Sequence, residues 1–182
     1  MKRNTDGTLS YLNDNFPFPA EKSGGFYCPW KAAADPSNHL AIAMQPMNLN
    51  FGTDGKFQLA VYTVGSKGNL STKSTYSNMP TVAVGAVSDY SMSPSGKYLA
   101  VGGTAGFQIF HFNGANPITK FTGLLTGNPI DQIFWDNANH VYGISWSKNK
   151  LFVWTVASTG VTPAPGSPHL IPSVQNLIVL PK

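Results

Sequence analysis

One cysteine (Cys28), one arginine (Arg3) and one glutamate (Glu21) are all that the 182 residues hold of three residue types that carry much protein chemistry. A lone thiol excludes an intrachain disulfide and a thiolate zinc site. Charged residues make up only 11% of the chain, against the usual quarter or so. Twelve cationic and eight acidic residues leave a formal charge of +4, but the lysines are scattered and Arg3 is alone. Nucleic-acid binding calls for clustered Lys and Arg, so no nucleic-acid partner is expected. No apolar run approaches the length of a membrane span, and none is expected. Met1-Lys2-Arg3 leads into polar Asn4-Thr5-Asp6-Gly7, which is not a signal-peptide pattern. The compartment stays open; low charge with much Ser, Thr and Asn resembles exported propellers.

Hydrophobic residues make up 42%, and 18 Gly and 14 Pro accompany them. That mixture excludes disorder and suits short strands joined by tight turns. Three stretches repeat: Asp35-Pro36-Ser37-Asn38-His39 followed by Leu40-Ala41-Ile42-Ala43, Ser93-Pro94-Ser95-Gly96-Lys97 followed by Tyr98-Leu99-Ala100-Val101, and Asp136-Asn137-Ala138-Asn139-His140 followed by Val141-Tyr142-Gly143-Ile144. Each is a turn rich in Pro, Ser, Asn or Gly that feeds an apolar strand. Asp35 and Ser93 lie 58 residues apart, Ser93 and Asp136 lie 43 apart, and Leu180 follows Asp136 by 44. Periods of about 40–50 residues with several strands each indicate propeller blades. Three further runs, beginning at Phe57, Phe107 and Leu151, align as the third strand of each unit.

The expectation is an all-β chain, a β-propeller fragment of four-stranded antiparallel blades forming one partial domain over 1–182. Blades are expected at about 28–80, 86–125 and 129–168, with an orphan outer strand at 8–12 and an orphan inner strand at 174–181. Residues 3–12 resemble residues 64–73, so the chain is expected to open at a third-to-outer turn. Missing N-terminal blades, or self-association, are expected to cover the open strand edges.

The turn and strand over residues 93–103 resemble the repeat signature of YVTN-type propellers. Residues 107–119 resemble their strand-turn-strand, and residues 151–171 resemble the ending of such repeats. Together these motifs resemble the lactonase family of seven-bladed propellers, the 6-phosphogluconolactonase-like proteins. The resemblance implies a sugar-lactone hydrolase that uses Glu, His and Arg near a central channel and needs no cofactor. With Glu21 and Arg3 both near the start of the chain, no family catalytic residue transfers to a position here.

The residues themselves offer an arc. Lys31, Asp89, Gln132 and Asn176 occupy one repeat position at the start of successive inner strands, where loops line a propeller's mouth. Such an arc offers hydrogen bonds to a polyhydroxy ligand or to water. Asp89 or Asp131 could serve as a base, with Lys31 stabilising developing negative charge. His169, in the loop before the last inner strand, is the histidine best placed for a ligand. His39 and His140 share a turn position with Lys97 and, with His111, read as structural. No pair of histidines has metal-ligand spacing, so no metal is expected. Trp30 and Trp135 fall at strand starts and read as blade-packing residues. The loop 45–56, with Met44 and Met47 near it, is a candidate contact surface. Three functions follow: a lactone hydrolase, a non-catalytic scaffold binding a protein or polymer partner, and a truncated fragment without activity of its own.

Overall fold

The computed structural model describes residues 2–10, 16–22, 24–173 and 176, the side chains of 2 and 3 apart. Among them are fifteen strands and no helix. A two-stranded hairpin, β1 (Lys2–Arg3) and β2 (Leu9–Ser10), comes first. The first blade is β3 (Phe26–Ala34), β4 (His39–Met47), β5 (Gln58–Val64) and β6 (Leu70–Ser71). The second is β7 (Val87–Met92), β8 (Tyr98–Gly103), β9 (Gly106–Asn113) and β10 (Asn116–Lys120). The third is β11 (Gln132–Trp135), β12 (His140–Ser145), β13 (Lys150–Ala157) and β14 (Gly160–Pro163), with β15 (His169–Leu170). Each blade is an antiparallel meander in chain order, and β15 pairs with the start of β13 beyond the reach of β14. Inner strand β7 lies between inner strands β3 and β11. The expected outer strand at 8–12 is described only to Ser10, and the expected inner strand at 174–181 lies outside the described residues except for Asn176.

Every residue of β8 is buried. A strand covered on one face alternates apolar with polar, whereas one covered on both reads as a continuous apolar run. Strand β8 is of the second kind because its blade is sandwiched. Leu99 and Val101 pack with Ala41, Ala43 and Val61 of the first blade. Tyr98 and Ala100 pack with Val141 and Trp154 of the third. Phe107 stacks on Trp154 across that second seam, with ring centroids 4.6 Å apart. Gly103 is required where β8 ends, because a Cβ there would collide with the carbonyl oxygens of Val84 and Ala86. Two indoles fasten the inner strands: Trp30 Nε1 donates to Val87 O at 3.1 Å, and Trp135 Nε1 donates to Ser91 O at 3.2 Å. Both tryptophans therefore join blades.

The pairing corrects two sequence alignments. Leu59, Phe107 and Leu151 are equivalent, opposite Ala43, Gly102 and Ile144, so the first third strand aligns two residues later than Phe57. Tyr98, not Lys97, is the counterpart of His39 and His140. It pairs with His111 as they pair with Thr63 and Thr155, because the second blade's turn is one residue longer. The opening turn repeats the later one: Asn4 N–H donates to Thr8 O as Gly65 N–H donates to Asn69 O, each at 2.8 Å.

A shared device interrupts each outer strand. The N–H of Val61, Ile109 and Val153 donates not to backbone but to Ser74 Oγ (2.9 Å), Thr122 Oγ1 (3.0 Å) and Ser167 Oγ (2.9 Å). These three amides hold one register position. A hydroxyl thus restores the ladder bond that the departing outer strand gives up.

The turns at the other end of the blades are closed by carboxylates. Asp35 Oδ1 accepts the N–H of Ser37 (2.9 Å) and of His39 (2.8 Å), and Asp136 Oδ1 accepts those of Ala138 and His140, both at 2.8 Å. Each Oδ2 meets its own turn's imidazole Nδ1, at 2.9 Å for His39 and 2.7 Å for His140. An ionised carboxylate only accepts, so Nδ1 carries the proton. Asn38, Gly96 and Asn139 supply the left-handed residue, with φ of 64°, 67° and 63°, which Asn and Gly tolerate best. Burial pushes the Asp35 carboxyl up, but the hydrogen bonds from His39 and Ser37 outweigh it and hold the group below its ordinary value. Asp136 is held low in the same way, against burial, by His140, Ala138 and Tyr142. A carboxyl depressed on folding stabilises the fold above its unfolded value and loses that contribution as the pH falls through its folded value. Urea titrations from about pH 5 down to pH 3 should therefore show falling stability. Asp136→Asn should flatten that dependence, and an unchanged pH profile in the variant would contradict this assignment.

Candidate functional site

The inner strands all begin at one end of the blades, here the upper end. The loops β4–β5, β8–β9 and β12–β13 and the connections between blades lie there too. A register shift falls in the middle of β3, between Pro29 and Lys31, so Lys31 is mid-strand and not at the strand start expected for it, and another falls at the start of β7, between Val87 and Asp89. Such bulges re-aim the side chains beside them. Lys31 lies opposite Ala43, Asp89 opposite Gly102 and Gln132 opposite Ile144. Because those partners are equivalent, the three side chains hold one register position in consecutive blades.

Of the three, Asp89 makes a bond between blades. Asp89 Oδ2 accepts the N–H of Ile133 from the third blade at 2.7 Å. Gln132 Nε2 donates to Asn176 Oδ1 at 2.9 Å, and among the described residues the buried Gln132 Oε1 has no partner. Asn176 itself is exposed. Lys31 lines a shallow hollow of about 150 Å³ with Pro29, Trp30, Ala32 and Ile42. Among the described residues no ion pair joins it to Asp89 or Asp131. Asp131 is turned to its own blade, where Oδ2 accepts the N–H of Trp146 at 2.8 Å and closes the β12–β13 turn.

His169 stands apart from this set. It lies in β15, opposite Leu151, three strand spacings from β11 because β12 and β13 lie between. At about 4.8 Å per strand that places it more than 10 Å from the inner strand. Its ring lies over Gly166.

A catalytic site needs a base within reach of a nucleophile or water, and donors for the charge that develops. Both aspartates already accept main-chain amides. Among the described residues no three His, Cys, Asp or Glu side chains gather.

What the upper end does present is apolar. Leu49 (74% exposed) and Phe51 (76%) stand on the β4–β5 loop, and Leu170 (73%) ends β15. Trp30, Tyr76, Leu124 and Trp146 are exposed at the same end. The candidate loop at 45–56 needs correction: residues 45–47 belong to β4, Met44 is fully buried and Met47 half-buried. The exposed apolar groups of that loop are Leu49 and Phe51. Their only signal in the sequence is that two large apolar residues sit among Asn and Gly.

Removing the Asp89 carboxylate strands the Ile133 amide between two blades. Asp89→Ala should cost about 1–3 kcal/mol in urea denaturation, while Lys31→Ala should stay within about 0.5 kcal/mol. Equal effects would show that the Asp89 bond does not join the blades.

No protein-family model matches the chain, and no curated protein matches it. Among solved structures, a catalytically inactive virginiamycin B lyase from Staphylococcus aureus with quinupristin is similar at 12% identity and a TM-score of 0.40. The match covers 91% of this chain and 62% of that one, so the chain spans less than two thirds of that structure's length. The fold rests on the three sheets themselves: the chain is all-β, built of four-stranded antiparallel propeller blades.

Proposed function

We propose that the protein is a non-catalytic β-propeller that binds a protein partner through the upper end of its blades. The observation that carries this reading is the gathering there of seven of the nine large apolar side chains exposed among the described residues. Surfaces that keep large apolar groups in water usually do so for a partner, and tryptophan and tyrosine are the favoured anchors. The lower end, by contrast, is closed by turns that satisfy themselves through Asp35 and Asp136.

The lactonase resemblance supplies a second reading, hydrolysis of a sugar lactone. Its support is the arc of Lys31, Asp89 and Gln132, which hold one register position in consecutive blades. The binding reading is stronger, because Asp89 and Asp131 serve as acceptors for Ile133 and Trp146.

Two measurements separate the readings. The purified chain should turn over no five- or six-membered sugar lactone. Turnover that disappears in Asp89→Asn with Asp131→Asn would overturn the binding reading. Proteins retained by the wild type should be lost by the Phe51→Ser, Trp146→Ala variant and should rebind when purified. The variant should melt within a few degrees of the wild type, since exposed positions change stability little. Retention that is indifferent to both substitutions would also overturn the reading.

A further inference from the structure

The two seams between blades are filled differently on their outer flank. Thr63 of β5 pairs with His39 on one side and with Ser71 on the other. Its equivalent in the second blade, His111, pairs with Tyr98 and Thr119. Lys73 and Phe121 also correspond, since each precedes the hydroxyl that restores the outer ladder, Ser74 or Thr122. In the seam toward the third blade these positions are packed. The ring centroid of Phe121 lies 4.1 Å from that of His111 and 5.5 Å from that of Tyr98, and Tyr98 stacks toward Trp135 of the third blade.

In the seam between the first and second blades the same positions hold His39, Thr63 and Lys73, and a hollow of about 270 Å³ remains. Val61, Thr63, Ser71, Thr72 and Lys73 line it from the first blade, and Ala115 of the β9–β10 turn lines it from the second. The His39 ring lies against Gly114, beside Ala115. Both walls thus belong to this chain. Directly opposed residues on neighbouring strands share a face, so the Thr63 and Ser71 hydroxyls stand together. Among the described residues neither hydroxyl makes a hydrogen bond, and no ion pair reaches Lys73. Asp35 is occupied by its turn amides and by His39 Nδ1.

We propose that this hollow is a binding site for a tetrahedral oxyanion, the phosphate or sulfate group of a small molecule. A lysine ammonium acts as a point charge, which suits such a group, whereas a planar carboxylate is met best by a guanidinium fork. No arginine lines the hollow. The two hydroxyls supply donors beside the charge. The volume lies just under the usual lower bound of about 300 Å³ for ligand pockets, so the group and a small carrier fit. The aromatic stack at the equivalent positions shows that this fold closes the space with apolar rings where the sequence supplies them. Here the sequence keeps it open and cationic instead. The site lies on the flank of the blades and does not depend on the reading given for their upper end.

Titration of the full chain with sodium phosphate and, separately, with sodium sulfate tests it, at constant ionic strength and with amide chemical shifts as the readout. Saturable shifts should gather on Thr63, Ser71, Thr72, Lys73 and Ala115, and the tighter anion identifies which group the occupant carries. Lys73→Gln should weaken binding by about tenfold or more, the worth of one charge-assisted hydrogen bond. Lys73→Phe copies Phe121, so it should fill the hollow, abolish binding and leave the circular dichroism spectrum unchanged. Acetate should bind more weakly than the better of the two oxyanions. Undiminished affinity in Lys73→Gln, acetate binding as tight as that oxyanion, or shifts spread evenly over the surface lysines would each overturn the proposal. So would the absence of saturable shifts with both anions.

Discussion

Apolar surface on both faces of each blade is the constraint on which the rest of this structure depends. In the second blade Leu99 and Val101 point one way and Tyr98 and Ala100 the other, and all four are buried. Fully burying one side chain such as Leu or Val is worth about 1.5–3 kcal/mol. A lone four-stranded sheet would leave both of those faces in water. Stacking is thus the source of stability, and neighbouring blades hold each other's strands in register.

The polar groups follow from that arrangement. Sheets stacked on both faces can hydrogen-bond only at their edges and ends. At the outer edge the Ser74, Thr122 and Ser167 hydroxyls stand in for missing main-chain acceptors. At the inner edge Asp89 takes an amide of the next blade, and Trp30 and Trp135 reach neighbouring carbonyls. At the lower end Asp35 and Asp136 consume the turn amides. The upper end carries the long connections, and there apolar groups were left exposed. That division between a self-satisfied end and an unsatisfied one is the basis for the binding role proposed for the upper face.

The blades were legible because turn chemistry repeats: Asp or Ser begins each lower turn, and Asn or Gly supplies its left-handed residue. The shared register of Lys31, Asp89 and Gln132 follows from the same periodicity. The one-residue slip at Tyr98 was not legible, since Lys97 and Tyr98 fit the turn equally well until strand pairing chooses. Nor were the bulge hydroxyls, because Ser and Thr are too frequent here for spacings of 48 and 45 residues to stand out. His169 read as a loop residue because nothing local reveals that β15 extends the sheet past β14.

By itself, then, the sequence determined the all-β class, the blade period and the turn residues. These are local properties, carried by backbone preference and by apolar runs long enough to be covered on both sides. Only the tertiary structure decided what each polar side chain does. Whether Asp89 is a base or a clasp depends on an amide 44 residues away. Whether Leu49, Phe51 and Leu170 are core or surface depends on which blade, if any, lies over them. Both outcomes are set by three-dimensional neighbours, and no period in the chain encodes those.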